Sequence, residues 1–233
     1  MSFYYSFLRS RFRLRPIIDT LAWVPFGIMF TQVGYSVINI KGNSMQPTFN
    51  PESSLRKDMV LLNRFVAWWD VTQLKRGDVI TLRDPTNPDL LITKRILALE
   101  GDLVRTLPPY PDTYVRIPPS HAWVEGDEPF RSSDSNHFGP VSLSLVDARV
   151  EAILWPLDRM RVLHGAWQAA AEEREGKRGD ELERLIAEVG KRPGRQYAIF
   201  WKEMERARGR MQRVYVHGGM EGVGKQVLRQ GRR

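Results

Sequence analysis

The pattern of hydrophobic and polar positions divides the chain into three parts. Residues 20–40, TLAWVPFGIMFTQVGYSVINI, carry no charged side chain over 21 positions. That is close to the ~20 apolar residues that cross a bilayer as a helix. Gln32, Asn39, Pro25 and two glycines temper the segment, so a buried core helix competes with a transmembrane helix over 16–40. From 41 to about 160, short β-branched runs alternate with turn residues: DMVLLNRFV (58–66), GDVITLRD (77–84), DLLITKRILALEGD (89–102), YVRIPPSHAWVEGD (114–127) and LVDARVEAILWPL (145–157). Asp-Pro, Asn-Pro, Pro-Pro and Gly-Asp pairs separate them, as turns separate antiparallel strands. The pattern predicts a mainly β fold, an antiparallel barrel or sandwich-like sheet system, with no repeat of fixed period. Beyond about 164 the period changes. Residues 169–192 read as a helix with Leu182, Leu185, Ile186 and Val189 on one face. Residues 198–214, AIFWKEMERARGRMQRV, read as a second, and the whole of 165–233 as a basic, solvated, partly helical or flexible tail.

Charge sharpens this division. The formal net charge is +8, yet residues 1–15 hold four arginines and no acid, and residues 165–233 hold 16 Lys and Arg against 10 Asp and Glu. The body, 16–164, has 15 against 17. A nucleic-acid-binding domain carries its basic patch on the folded body, so no nucleic-acid partner is expected, and RNA binding by the tail is a minor reading. Arginines at 9, 11, 13 and 15, ahead of an uncharged run, fit the positive-inside rule. They resemble a mitochondrial address or the cytoplasmic arm of a bacterial signal anchor.

Composition also removes several chemistries. The chain has no cysteine, which excludes disulfides, thiolate metal sites and a cysteine nucleophile. Its histidines, at 121, 137, 164 and 217, show no HExxH spacing, and no GxxxxGK[ST] or GxGxxG stretch is present. Neither a metal nor an organic cofactor is expected.

Two segments carry candidate chemistry. GNSMQPTFNP (42–51) sets Ser44 among turn-forming residues, either as a polar turn or as a serine presented on a bend. In DLLITKRILALEGD, strand alternation puts Leu90, Ile92, Lys94 and Ile96 on one face and Leu91, Thr93, Arg95 and Leu97 on the other. Lys94 thus stands in an aliphatic row, where desolvation lowers an ammonium's pKa. A neutral lysine can take a proton from a serine hydroxyl; arginine cannot. The alternative is a lysine that snorkels to the surface along its apolar stem. Serine–lysine pairs are one form of activated-nucleophile catalysis.

SMQPT (44–48), RGDVI (76–80), KRILALEGD (94–102) and GDEPFRSSDSNHFGPV (126–141) follow in this order behind a single uncharged N-terminal segment. Together they resemble the signature segments of the type I signal peptidases, membrane-bound serine–lysine peptidases. The resemblance covers residues 20 to about 160. The short stretch between the lysine segment and the Gly-Asp segment is similar to the compact mitochondrial members rather than to larger bacterial ones with a second β-domain. It implies a signal-peptidase-like antiparallel β-sheet catalytic domain over 41–164, behind a basic arm at 1–15 and a membrane helix at 16–40, with 165–233 lacking a counterpart. It implies Ser44 as nucleophile, Lys94 as general base and the Ser44 backbone N–H as oxyanion donor. The family's second donor serine falls at Gly42, so either another group donates, with Asn43 a candidate, or the oxyanion hole is weaker. Ser132 matches a serine that orients the lysine. Asp134 matches a structural acid whose usual arginine partner is replaced by Asn136. Met45 and Phe49 would wall shallow pockets for small residues.

The resemblance further implies a single-pass serine endopeptidase of the mitochondrial inner membrane, its N-terminus in the matrix and its catalytic domain in the intermembrane space. It would remove sorting peptides from precursors, such as a respiratory-chain cytochrome or a glycerol phosphate dehydrogenase, as a heterodimer with a homologous subunit 1 in the lipid bilayer. Two readings stay open beside it: a bacterial-type signal peptidase, and a non-catalytic subunit that stabilises a partner. Arg76–Asp78 and Gly101–Asp102 read as turns that launch strands, Phe138–Pro140 as packing and a bend, and Trp123 and Trp155 as core or membrane-facing.

Overall fold

The computed structural model describes residues 21–25, 27, 34–51, 57–163, 167, 170 and 195–216. The basic arm 1–15, most of the stretch predicted as a membrane helix, the predicted helix 169–192 apart from Ala170, and residues 217–233 lie outside the described residues.

The β-rich reading holds. Strands β1 (Tyr35–Asn39), β2 (Met59–Asn63), β3 (Val79–Arg83), β4 (Leu91–Leu99), β7 (His121–Glu125), β8 (Val141–Ser142) and β9 (Val146–Trp155) form an antiparallel sheet in the order β1-β2-β9-β3-β4-β7-β8. Strand β10 (Arg161–Val162) pairs with β9. A smaller sheet runs β11 (Val214–Tyr215), β5 (Leu103–Arg105), β6 (Tyr114–Arg116). YVRIPPSHAWVEGD thus splits between the two sheets. Pro118 and Pro119 lack the N–H that a continuous ladder needs. DMVLLNRFV is strand only to Asn63, whose side-chain oxygen accepts from Phe65 N at 3.0 Å and starts a short helix, Phe65–Trp69.

One boundary is corrected. A membrane helix over 16–40 cannot run to its predicted end, because Tyr35–Asn39 is strand, paired residue for residue with Asn63–Met59 of β2. Its β-branched Val37 and Ile38 suit the pleat. Residues 21–25 are helical with Leu21, Trp23 and Val24 exposed. Among the described residues no helix is long and apolar enough to cross a membrane.

Among the described residues the core has three clusters. Ile40, Met45, Phe49, Val60, Leu62, Val150 and Ile153 fill one, and Ile80, Leu82, Ile96, Val124 and Val141 another. The third joins Leu97, Val104, Ile117 and Trp123 to Trp167, Met204, Ala207, Met211 and Val214. The second predicted helix is present, as Arg195–Met211, but the solvated reading of this stretch fails over it. Met204, Ala207 and Met211 fall on one face and are buried against the body. Gly77, at φ +92°, lies so near the Trp167 side chain that a Cβ would sit 2.4 Å from Trp167 Cβ, so only glycine lets this contact form.

Candidate active site

The Ser44 segment is a turn clamped at both ends. Gly42, at φ +88°, redirects the chain after Ile40. Gln46 N then donates to Asn43 O at 3.1 Å, and Phe49 N to Met45 O at 3.0 Å. Asn50 N donates to Asp58 Oδ2 at 2.8 Å, while the Asn50 amide oxygen accepts from Asp58 N at 2.9 Å and its nitrogen donates to Ile40 O at 3.1 Å. Arg159 reaches the same Asp58 carboxylate at 2.6 Å. Buried Met45 and Phe49 pin the turn from below, and Ser44 is left half-buried on its outer side.

Lys94 is buried, 3% exposed, and its Nζ donates to Ser132 Oγ at 2.9 Å. Burial pushes the ammonium below the ordinary lysine range, and Asp134, Asp84 and Asp127 resist the shift only in part. Arg95, one residue on, faces the opposite way. It forks onto Asp127 at 3.0 and 2.7 Å, donates to Gly77 O at 2.9 Å, and lies over the Trp167 ring at 4.7 Å. Burial alone would raise the Asp127 pKa; Arg95, then Arg210 and Thr48, override it and hold the carboxyl at about 2. The alternation read from sequence thus separates a cation that burial weakens from one that a carboxylate secures.

The loop Gly126–Asn136 joins these parts. Glu128 N donates to Ser44 O at 3.0 Å, and Thr48 donates to Asp127. Asp134 caps the Ser135–Phe138 helical turn, accepting from Asn136 N at 3.1 Å, and also accepts from Gly126 N at 3.0 Å. A Cβ at Gly126 would lie 2.1 Å from Ser132 Oγ and 2.6 Å from Ser44 O. The two oxygens are therefore no more than 2.1 + 2.6 = 4.7 Å apart. Through this glycine the structure brings the serine turn to the hydroxyl that holds Lys94.

Of the remaining candidates, Gly42 is exposed and Asn43 half-buried, its amide oxygen 3.5 Å from Gln46 Nε2. Met45 lines a groove of about 230 Å³ with Ile38, Ile40, Ser44, Leu91 and Ile92. Phe49 does not: at 1% exposure it packs with Val60 and Ile153 in the core, because the turn folds its ring inward. Among the described residues, the groove runs between two open backbone edges. β1 ends the sheet, and β4 pairs with β7 only from Arg95 onward. Asn136 takes a neutral bridging position, its Nδ2 donating to Asp134 Oδ1 at 3.1 Å and Glu125 Oε1 at 3.2 Å. Sequence reasoning missed Gly126, the Arg95–Asp127–Thr48 cluster, and the pairing of Glu125 with Arg213 at 2.6 Å. Only Arg95, on the face of the strand opposite Lys94, signalled any of these, since a buried guanidinium requires a partner.

Comparisons with known proteins place the chain in a family. The family described as "Signal peptidase, peptidase S26" matches residues 16–107. The mitochondrial inner membrane protease subunit 2 of Schizosaccharomyces pombe is 44% identical over 164 residues, 70% of this chain and 88% of the relative. The human protein of that name is 45% identical over 142 residues, 60% of this chain and 78% of the relative. Human mitochondrial inner membrane protease subunit 1 is 32% identical over 130 residues, 55% and 74% of the two chains. A solved signal peptidase I from Enterococcus faecalis V583 overlaps 33% of this chain and 96% of that one, at 21% identity and a TM-score of 0.30. Identity of this extent across most of the S. pombe relative shows that the chain belongs to the signal peptidase family, peptidase S26, alongside the mitochondrial inner membrane protease subunit 2 sequences.

Proposed function

We propose that this chain is a membrane-anchored serine endopeptidase that removes sorting peptides from precursors bound for the mitochondrial intermembrane space, with Ser44 as nucleophile and Lys94 as general base. The observation that carries the reading is the buried Lys94 Nζ, 2.9 Å from Ser132 Oγ on a loop hydrogen-bonded to the backbone of Ser44. A lysine so placed has lost much of its preference for the charged form, which a general base working near neutral pH requires.

The precursor chain lies extended in the groove, its backbone completing the open edges of β1 and β4, with small side chains against Ile40, Met45 and Ile92. Neutral Lys94 takes the Ser44 hydroxyl proton as Oγ attacks the scissile carbonyl carbon. The carbonyl electron pair moves to oxygen, facing the Ser44 backbone N–H, with the Asn43 amide as second donor where Gly42 has no hydroxyl. The tetrahedral adduct collapses, the C–N bond breaks, and the Lys94 ammonium protonates the leaving amine. Water, deprotonated by Lys94, then attacks the acyl ester, the acyl C–Oγ bond breaks, and the Lys94 ammonium returns the proton to Ser44 Oγ. Ser132 orients the amine throughout, and Asp134 holds the loop that carries Ser132.

The anchor is a helix within 16–34, placing the arginine-rich arm in the matrix and the sheet in the intermembrane space. Tethering enzyme and precursor to one membrane raises their effective concentration, so weak recognition of short sequences suffices. A homologous subunit 1, of the kind represented by the human relative, completes a heterodimer.

Processing by mitochondria lacking the native protein tests the reading when wild type, Ser44→Ala or Lys94→Arg is supplied at matched levels. Both variants accumulate uncleaved precursor while the partner subunit stays abundant. Normal processing by either variant refutes the dyad.

A further inference from the structure

We infer that the C-terminal segment Arg195–Tyr215 is a positioning element of the active site, its Arg213 and Arg210 supplying from behind the sheet the cationic support that the site loop lacks at Asn136. This rests on the Ser44–Lys94 reading and adds to it a role for a region beyond the family's signature segments.

Glu125 and Asp134 are both buried, and among the described residues the side chain bridging them is the neutral Asn136 amide. That amide brings no positive charge to either carboxylate. Arg213 supplies the missing cation, donating to Glu125 Oε1 at 3.0 Å and Oε2 at 2.6 Å. Burial works to raise the Glu125 pKa, and Arg213 is the foremost group that brings it below the usual range instead. Three residues earlier, Arg210 donates to Asp127 Oδ1 and to Asp127 O, each at 2.9 Å. The two arginines therefore grip the residues on either side of Gly126, whose missing side chain makes room for Ser132 Oγ and Ser44 O.

The grip is backed by packing. Met204, Ala207, Met211 and Val214 are buried against Leu97, Val104 and Trp123. Strand β11 pairs Val214 with Val104 and Tyr215 with Leu103. Arg161 links Glu203 at 2.6 Å to Thr48 O at 3.4 Å, so the helix also reaches the serine turn. A segment that only covered apolar surface would not need two guanidinium forks aimed at the flanks of one glycine.

The charges facing Lys94 set the sign of the test. Ser132 and Asp134 come from the loop, Asp84 from beyond β3, Asp127 from the turn after β7, and Arg95 from the opposite face of β4. Opposite Lys94, β3 presents the uncharged Ile80. Removing Arg210 leaves the Asp127 charge less neutralised, which favours the Lys94 ammonium and moves the acid limb of activity to higher pH.

The experiment uses the detergent-solubilised full-length chain and a peptide spanning a precursor cleavage site, with kcat, KM and the pH profile measured below the melting temperature of each variant. Arg210→Gln/Arg213→Gln lowers kcat roughly tenfold or more through misplacement of the loop, leaves KM nearly unchanged because the groove lies on β1 and β4, and moves the acid limb upward. Arg210→Lys/Arg213→Lys keeps the charge and restores the limb while recovering only part of kcat. A Gln variant that melts earlier yet keeps kcat and the acid limb of wild type overturns the inference. Should the double Gln variant not fold, Arg213→Gln alone is measured, and a wild-type kcat for it overturns the inference equally. Ser44→Ala, run beside them, separates the two readings, since cleavage by that variant refutes the dyad and not the support.

Discussion

Gly126→Ala tests the site at its tightest point. Gly126 is not among the residues with positive φ, so alanine incurs no backbone strain there and the perturbation is steric. The new Cβ would meet Ser132 Oγ at 2.1 Å, Ser132 Cβ at 2.5 Å and Ser44 O at 2.6 Å, against ordinary contacts of 3.4–4 Å. Relief requires Ser132 Oγ to retreat by at least 3.4 − 2.1 = 1.3 Å and Ser44 O by 3.4 − 2.6 = 0.8 Å. Neither moves freely: one accepts from Lys94 Nζ, the other from Glu128 N. Overpacking of this kind costs about 1–3 kcal/mol, which for a chain of this size lowers Tm by about 2–12 °C. Displacing a catalytic group by ~1 Å costs on the order of 10²-fold in rate. Initial cleavage rates and a circular-dichroism melt measure both effects. The double variant Gly126→Ala/Ser132→Gly separates them, regaining part of Tm because the two Ser132 clashes are gone and only Ser44 O, at 2.6 Å, still has to yield, while staying slow because Lys94 has lost its holder. A Gly126→Ala enzyme within about threefold of wild type in rate and with an unchanged melt, the ordinary result for a neutral surface substitution, would refute the argued proximity of Ser44 and Ser132.

Two other groups give predictions through their charge. Lys94→Met abolishes cleavage without lowering Tm at pH 7, because burial disfavours the ammonium whenever the unfolded lysine is charged; this advantage of Met shrinks as pH rises through the lowered folded value of Lys94 and is gone above ~10.4, the free lysine value. In the wild type the rate climbs with pH along a limb lying below that value, and Asp84→Asn moves the limb further down by removing a charge that favours the ammonium; an unshifted lysine limb would count against a buried base. Asp127 is depressed from 3.8 to about 2, so its contribution, on the order of 2 kcal/mol, is complete above pH ~4 and lost as pH falls through about 2. The Tm gap between wild type and Asp127→Asn therefore closes over that interval, and a gap constant from pH 7 to pH 2 would show that Arg95 and Asp127 do not act as an ion pair.

Local sequence signals account for most of the sheet and little of how the site is assembled. The β-branched runs between turn residues became β2, β3, β4 and β9 because period-two burial and turn chemistry are both local. The uncharged run 20–40 misled at its end, since absence of charge is shared by a membrane helix and a half-buried edge strand, and only pairing with β2 decides. Lys94 was legible because its neighbours on one face are aliphatic. Its partner Ser132, 38 residues away, came from family resemblance and not from pattern. Arg210 and Arg213 were hidden in a stretch whose charge reads as solvation. Their partners lie 83 and 88 residues earlier in the chain, a separation at which no spacing rule operates.

The adjacency of Lys94 and Arg95 makes the register of β4 a functional quantity. A one-residue slip in a strand exchanges its faces. Here it would put the guanidinium, which does not deprotonate, beside Ser132, and leave the lysine on Asp127, where a paired carboxylate favours its charge. Several independent devices hold the register. Ile80 faces Lys94 and Val79 faces Arg95 on β3. Arg95 faces Glu125 on β7, and the irregularity between Ile96 and Ala98 fixes where that pairing shifts. Arg95 itself is the strongest lock, since sliding it would strip a buried cation of Asp127 and Gly77 O together, and an unpaired buried charge costs about 3–5 kcal/mol. The inert cation thereby fixes the position of the reactive one, and the helix that brings Arg210 to the same Asp127 strengthens that lock from the far side of the sheet.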